Sequence, residues 1–258
     1  MNKPGLVLVT GSAGRIGQAV VKELLARGHA VRGFDRVATP GLADAVVGNV
    51  AEPASVQRAM AGVKVLIHLA ATPDDADFLA ELLPNNLEGL HHVLEAARAA
   101  GVWRLILASS GQVNDGQQPG GPWPIKASDP ITPRYWYAAT KMFMESIGHS
   151  FARRHGMSVI VARLGWCPRD AGQVREIAAE ERFKDVYLSP GDAGRFFSCA
   201  VEASESVKFE IVYPTSKPFK TERLDGGPAR RLLGYEPQET WPQGVKIILG
   251  RAPQPGEF

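Results

Sequence analysis

The stretch Gly5-Leu6-Val7-Leu8-Val9-Thr10-Gly11-Ser12-Ala13-Gly14-Arg15-Ile16-Gly17 decides the fold. Residues 5–10 form a short, continuous, β-branched apolar run, which suits a parallel strand buried on both faces. Three glycines follow at once in a G-x-x-G-x-x-G spacing. From Ile16 to Arg27 the apolar residues Ile16, Ala19, Val20 and Leu24 recur at helical spacing. Strand, glycine turn and helix in that order form a cradle for a dinucleotide. Glycines let the backbone approach a pyrophosphate, and the helix N-terminus offers it unpaired N–H groups and partial positive charge.

The pattern continues downstream. A second strand spans His29 to Phe34 and ends at Asp35, where a carboxylate accepts hydrogen bonds from adenosine ribose hydroxyls and repels a 2′-phosphate. NAD is therefore expected ahead of NADP; Arg36 beside Asp35 is the kind of side chain that meets such a phosphate, which leaves dual use open. Further strands are predicted at 45–50, 63–69, 102–108, 158–164 and 209–213. Helices are predicted at 53–61, 78–100, 132–154, 191–203 and 227–233. Alternation of strands and helices defines an α/β, Rossmann-type, doubly wound parallel sheet of about seven strands. One NAD(P)-binding domain over 1–258 is expected. Segments at about 111–131, 165–190 and 214–258 are expected to cover the substrate, and from 165 onward the chain is too short and irregular to hold its own core.

Tyr137 and Lys141 stand four apart on the predicted helix, hence on one face. A free tyrosine titrates near 10, and an adjacent ammonium is expected to lower that value and ready the phenol for proton transfer. Ser109 and Ser110 follow the fifth strand directly, at its carboxyl end, where ligands of such sheets bind, so Ser110 is placed to hold a substrate oxygen beside Tyr137. A nicotinamide would carry the redox chemistry.

Bulk properties narrow the classes. The chain has 258 residues and a formal net charge of +2 without a long basic run, so nucleic acid is not an expected partner. No apolar stretch approaches the roughly 18 residues of a membrane span. The N-terminus shows no apolar signal core, and Cys167 and Cys199 make neither a disulfide framework nor a metal pattern. A cytoplasmic protein without a metal is expected. His68 reads as a core histidine, His91-His92 lack a metal motif, and Cys167 reads as a packing residue. Trp123, Trp136 and Trp166 are candidates for pocket walls, with core packing the default.

Taken together these residues resemble the extended short-chain dehydrogenase/reductase family, also called the NAD-dependent epimerase/dehydratase family. Thr10-Gly11-x-x-Gly14-x-Ile16-Gly17 resembles its nucleotide loop and His68-Leu69-Ala70-Ala71 its strand-end segment beside the cofactor. Asn86-x-x-Gly89 resembles a helix motif and Leu232-Leu233-Gly234-Tyr235-Glu236-Pro237 its C-terminal signature. Within the family the likeness is nearest to uronate dehydrogenases, through Gly14-Arg15-Ile16-Gly17, Glu95-Ala96-Ala97-Arg98, Ala108-Ser109-Ser110 and Arg163-Leu164-Gly165.

The resemblance implies an NAD-dependent oxidoreductase that oxidises a sugar or related hydroxyl, an aldose or uronate to its lactone, with Ser110, Tyr137 and Lys141 as catalytic residues. It implies cofactor contacts from Gly11, Gly14, Arg15, Ile16, Gly17, Asp35, Arg36, Asn49, Val50, Leu69, Ala70, Ala71, Asn86, Tyr137 and Lys141. Substrate contacts are implied for Thr72, Ser110, Gln112 and Arg175, the last for a sugar carboxylate. The chain departs from uronate dehydrogenases at Gly111-Gln112 and at Thr72-Pro73-Asp74-Asp75, with Asp77 beyond; those carboxylates would repel a carboxylate substrate. A homodimer through helices 78–100 and 132–154 is also implied, with Met142, Phe143 and Ile147 as candidates for its surface. Two alternatives stand beside this reading: a nucleotide-sugar epimerase or dehydratase, and a non-catalytic dinucleotide-binding sensor.

Overall fold

The computed structural model describes residues 5–117 and 119–245; the parts of the expected covering segments at 118 and 246–258 lie outside them. Seven parallel strands form one sheet: β1 (Leu6–Thr10), β2 (Val31–Asp35), β3 (Ala45–Val47), β4 (Val63–His68), β5 (Arg104–Ser110), β6 (Ser158–Leu164) and β7 (Phe209–Val212). Their order is β3-β2-β1-β4-β5-β6-β7. The direction of progression reverses between β1 and β4, which pair with Thr10 opposite His68. A crevice opens at the carboxyl ends of those two strands.

Both faces of the sheet are covered because successive side chains of a strand point to opposite sides. Val7 and Val9 join one core with α1 (Arg15–Ala26), α7 (Pro190–Glu202) and α8 (Gly227–Leu233). Leu8, Leu66, Leu105 and Leu107 join the other, with α2 (Pro53–Met60), α3 (Gly89–Ala99) and α4 (Trp136–His155). Phe196, Val212, Ala229 and Tyr235 lie in the same core as β1, so the later chain packs onto the main sheet.

The fifth strand is shifted to Arg104–Ser110 from the expected 102–108, and other elements differ more. The expected helix 78–100 is α-helical only over Gly89–Ala99; Phe78–Glu88 coils more widely, as a π-helix around Pro84. Proline lacks the N–H and crowds the carbonyl one turn back, so the ladder there must widen. The helix expected from 132 begins at Trp136, because Pro133 disfavours helical backbone at Thr132. The third strand stops at Val47, where a Cβ on Gly48 would lie 2.7 Å from Ser55 and 2.8 Å from Phe34. Two short helices, α5 (Ala171–Ala179) and α6 (Glu181–Asp185), fill a segment read as irregular. Asp170 starts α5 by accepting the Gln173 N–H at 2.9 Å.

Candidate active site

A cleft of about 640 Å³ runs from the glycine turn to the ends of β5 and β6. Gly11 has φ +70°, and a Cβ there would lie 2.9 Å from the Ala70 nitrogen; a Cβ on Gly17 would lie 2.1 Å from the Gly11 carbonyl oxygen. Glycine is therefore required at both positions, for turn and for packing respectively. The N-terminus of α1 has no side-chain cap and no acidic residue in its first turn. Arg15 lies beside it with its Nη1 buried and without a hydrogen-bond partner. An uncapped helix start, a cradle that excludes side chains and an unpartnered guanidinium nitrogen together fit a pyrophosphate.

Leu69 and Ala71 also line the cleft, whereas Ala70 lies beside Gly11 behind its wall. Asp35 lies outside the lining; its carboxylate accepts the N–H groups of Ala13 at 3.0 Å and Arg36 at 2.6 Å, and so ties the end of β2 to the glycine turn. Arg36 is exposed. Asn49 accepts the Ala51 N–H at 3.0 Å, and Val50 packs under Gly89. Asn86 is buried and grips both backbone groups of Thr72 and the Thr140 hydroxyl. The carboxamide of Asn86 and Thr72 thus set the course of the loop after β4, outside the lining of the cleft.

At the other end Ser110, Tyr137 and Lys141 converge on the cleft. The Ser110 hydroxyl interacts with the Tyr137 phenol and accepts the Gln112 N–H at 3.2 Å. Lys141 is buried; its Nζ lies 5.4 Å from the Tyr137 ring centre and donates to the Ala108 carbonyl at 2.9 Å. Burial lowers the Lys141 ammonium to about 8. Burial, and then the Asp74 charge, raise the Tyr137 phenol above its ordinary value. The expected lowering of Tyr137 by Lys141 is therefore absent here, because desolvation dominates and the ammonium is directed at a carbonyl. His68 is buried, shares a 2.8 Å hydrogen bond with the Thr10 hydroxyl and is held neutral, with burial lowering it to about 3.

Behind Ser110 lies a buried polar network. Arg163 donates to both carboxylate oxygens of Glu145 at 2.9 and 2.8 Å, and to Asn114 and the Tyr213 hydroxyl, each at 2.8 Å. Ser109 donates to the same Glu145 at 2.6 Å. This network joins β5, β6, Tyr213 just after β7, and α4 behind Ser110.

The mouth holds residues the sequence reading did not single out. Arg175 is exposed on α5 and does not line the cleft; Arg169, in the loop before α5, does. Arg169 pairs with Asp74 across the opening. Gln112, expected from the sequence as a substrate contact, lines the same mouth, as do Gln173 and Glu176, which were not. An arginine in a loop carries no periodicity, so spacing alone could not separate Arg169 from Arg175. Trp166 lines the cleft, while Trp136 stacks on Phe78 outside it and Trp123 meets Arg223. Burial pushes the Cys167 thiol up to about 11, away from a reactive thiolate.

A seven-stranded parallel sheet with a glycine cradle and a Ser–Tyr–Lys cluster at one cleft defines a nicotinamide-dinucleotide enzyme fold. The chain belongs to the NAD dependent epimerase/dehydratase family, whose profile matches residues 7–166. It is 34% identical over 213 residues to an L-arabinose 1-dehydrogenase (NAD(P)(+)) of Haloferax volcanii, covering 77% of this chain and 83% of that one. It is 29% identical over 261 residues to an NAD-dependent glucose-6-phosphate dehydrogenase of the same organism, covering 93% and 94%. The crystal structure of a glucuronic acid dehydrogenase from Chromohalobacter salexigens superposes with a TM-score of 0.74 at 26% identity, covering 91% of this chain and 85% of that one.

Proposed function

We propose that this protein oxidises the anomeric hydroxyl of a sugar to a lactone with NAD. The observation that carries the reading is the convergence of Ser110, Tyr137 and Lys141 on the cleft that begins at the glycine cradle. Similarity to dehydrogenases acting on arabinose, glucose 6-phosphate and glucuronic acid supports it. Gly11, Gly14, Ile16, Gly17 and Arg15 would hold the pyrophosphate, and Asp35 would face the ribose and favour NAD over NADP. When bound, NAD supplies the hydride acceptor. Tyr137, as its phenolate, takes the proton from the sugar hydroxyl and becomes the neutral phenol, Ser110 hydrogen-bonds the same oxygen, and the Lys141 ammonium favours the phenolate that precedes the transfer.

The covering segments supply the rest of the pocket. Trp166, Arg169, Gln173 and Phe183 line it from the segment after β6, Gln112 and Asp115 from the segment after β5, and Leu224 from the later chain. A homodimer through the π-helical segment and α4 is supported by apolar side chains left outside: Leu79 is 74% exposed, Trp136 61% and Phe143 46%. Two unpaired cysteines fit a reducing, cytoplasmic setting.

The test is NADH formation with a panel of aldoses, uronates and polyols, with NADP in parallel. NADH formed with one sugar class, and a lactone identified as product, supports the reading. Silence across the panel from protein shown to bind NAD defeats it in favour of an epimerase or a sensor.

A further inference from the structure

Asp74 is the single non-glycine residue among the described residues with a left-handed backbone, at φ 58°. Aspartate tolerates this region better than most residues, yet a strained position at the mouth of a cleft asks for a reason. The conformation points its carboxylate across the opening. One oxygen meets Arg169 and, at 3.1 Å, the Gln173 amide; the other has only the Gln112 amide at 3.5 Å. That distance exceeds a normal N–H···O bond, so this oxygen keeps acceptor capacity. It lies near enough to Tyr137 for its charge to act on the phenol.

The clasp is built from both sides. Gln173 is fixed by Asp170 at the start of α5, and its carbonyl accepts the Arg169 backbone N–H at 2.9 Å. The same carboxamide therefore holds both members of the pair. Lys141 is directed at the Ala108 carbonyl and Arg15 sits by the glycine turn, so neither serves the mouth. Asp115 and Glu176 also line the cleft, and Asp115 has Arg134 at 3.8 Å.

We infer that the Asp74–Arg169 pair is a substrate filter that admits uncharged sugars, whose hydroxyls donate to Asp74, and rejects uronates and other anionic sugars. A substrate carboxylate reaching for Arg169 finds that cation already matched and Asp74 facing it. Like-charge repulsion at about 4 Å is worth a factor of about 5 in water, and more where a bound substrate excludes water. A neutral hydroxyl meets no such barrier and gains a charge-assisted hydrogen bond. The filter rests on the dehydrogenase reading only for the identity of the reaction that follows binding.

The test uses matched pairs, D-galactose with D-galacturonate and D-glucose with D-glucuronate. Binding to the NADH-saturated protein is measured by calorimetry, and kcat/KM by NADH formation from NAD. The native protein prefers the neutral member at least tenfold in both. Asp74→Asn keeps a side chain that tolerates the left-handed backbone but removes the charge, and shrinks the preference at least tenfold by improving uronate binding. Arg169→Met leaves Asp74 unmatched and widens the preference. Equal or better uronate binding by the native protein, an unmoved ratio in both variants, or binding of neither member overturns the filter. Binding with the expected preference and shifts but without NADH formation leaves the filter standing and defeats the dehydrogenase reading instead.

Discussion

The Nζ of Lys141 donates a 2.9 Å hydrogen bond to the carbonyl oxygen of Ala108, inside the protein and just before Ser109 and Ser110. One side chain of α4 thereby fixes the end of β5 that carries the serine. The same burial lowers the ammonium from 10.5 to about 8, so folding works against the proton that Lys141 holds at neutral pH. The unfolded chain binds that proton up to about 10.5 and the folded chain only to about 8. Stability from this group therefore rises with pH across that window.

Lys141→Met should consequently be more stable than the native protein at pH 7 and inactive. The shift corresponds to about 3 kcal/mol, partly offset by the lost hydrogen bond, so a rise of several degrees in Tm is expected. Turnover should fall by about a thousandfold. Thermal melts at neutral pH and near pH 10 check this; the native and variant curves should converge at the higher pH. A variant less stable than the native protein at pH 7 would contradict it.

Glu145 and Arg163 are a different kind of pair, buried and bidentate. Glu145→Gln leaves Arg163 charged without a matching anion and Ser109 with a weaker acceptor. Breaking one side of a buried pair costs about 3–5 kcal/mol. That predicts a fall in Tm of about 6–20 °C for a chain of this size. A melt by circular dichroism within about two degrees of native would contradict it.

The pH dependence of sugar oxidation follows from Tyr137. The reaction needs the phenolate of Tyr137 as base, and burial first and Asp74 second hold the phenol's titration above the ordinary range. kcat/KM should therefore climb as pH rises, with the limb on the alkaline side. Asp74→Asn removes the second cause and should move that limb to lower pH. A limb that stays in place, or moves up, would show that Asp74 does not act on the phenol.

Cofactor choice is predicted from Asp35, whose carboxylate closes the end of β2 onto Ala13. Asp35→Ser removes the charge that repels a 2′-phosphate while Arg36 stays exposed beside it. The ratio of kcat/KM with NAD to that with NADP should drop at least tenfold. An unchanged ratio would place cofactor discrimination elsewhere.

Much of this architecture was legible from local chemistry. Residues 158–164 and 227–233 were read to the residue, because a β-branched run and a Pro-to-Gly bracketed helix are governed by their own side chains. Ser110, Tyr137 and Lys141 were legible because their spacing and strand-end position carry meaning. The wide coil at 78–88 was not, since Pro84 signals a break without saying how the backbone absorbs it. Arg169 and the Glu145–Arg163 pair depend on which loops and strands end side by side, a tertiary fact that no window of sequence contains. The phenol's upward displacement was missed for the same reason: proximity of Tyr137 to Lys141 along a helix says nothing of how dry the site is.

The central claim is that Tyr137 moves the substrate proton in an NAD-linked oxidation. Its most direct test is NADH formation by the native protein and by Tyr137→Phe, with the best sugar of the panel and with NAD affinity measured for both. Turnover should fall at least a thousandfold in Tyr137→Phe, with NAD binding within about threefold of native. Turnover by Tyr137→Phe within tenfold of native, with NAD bound as well, would contradict it.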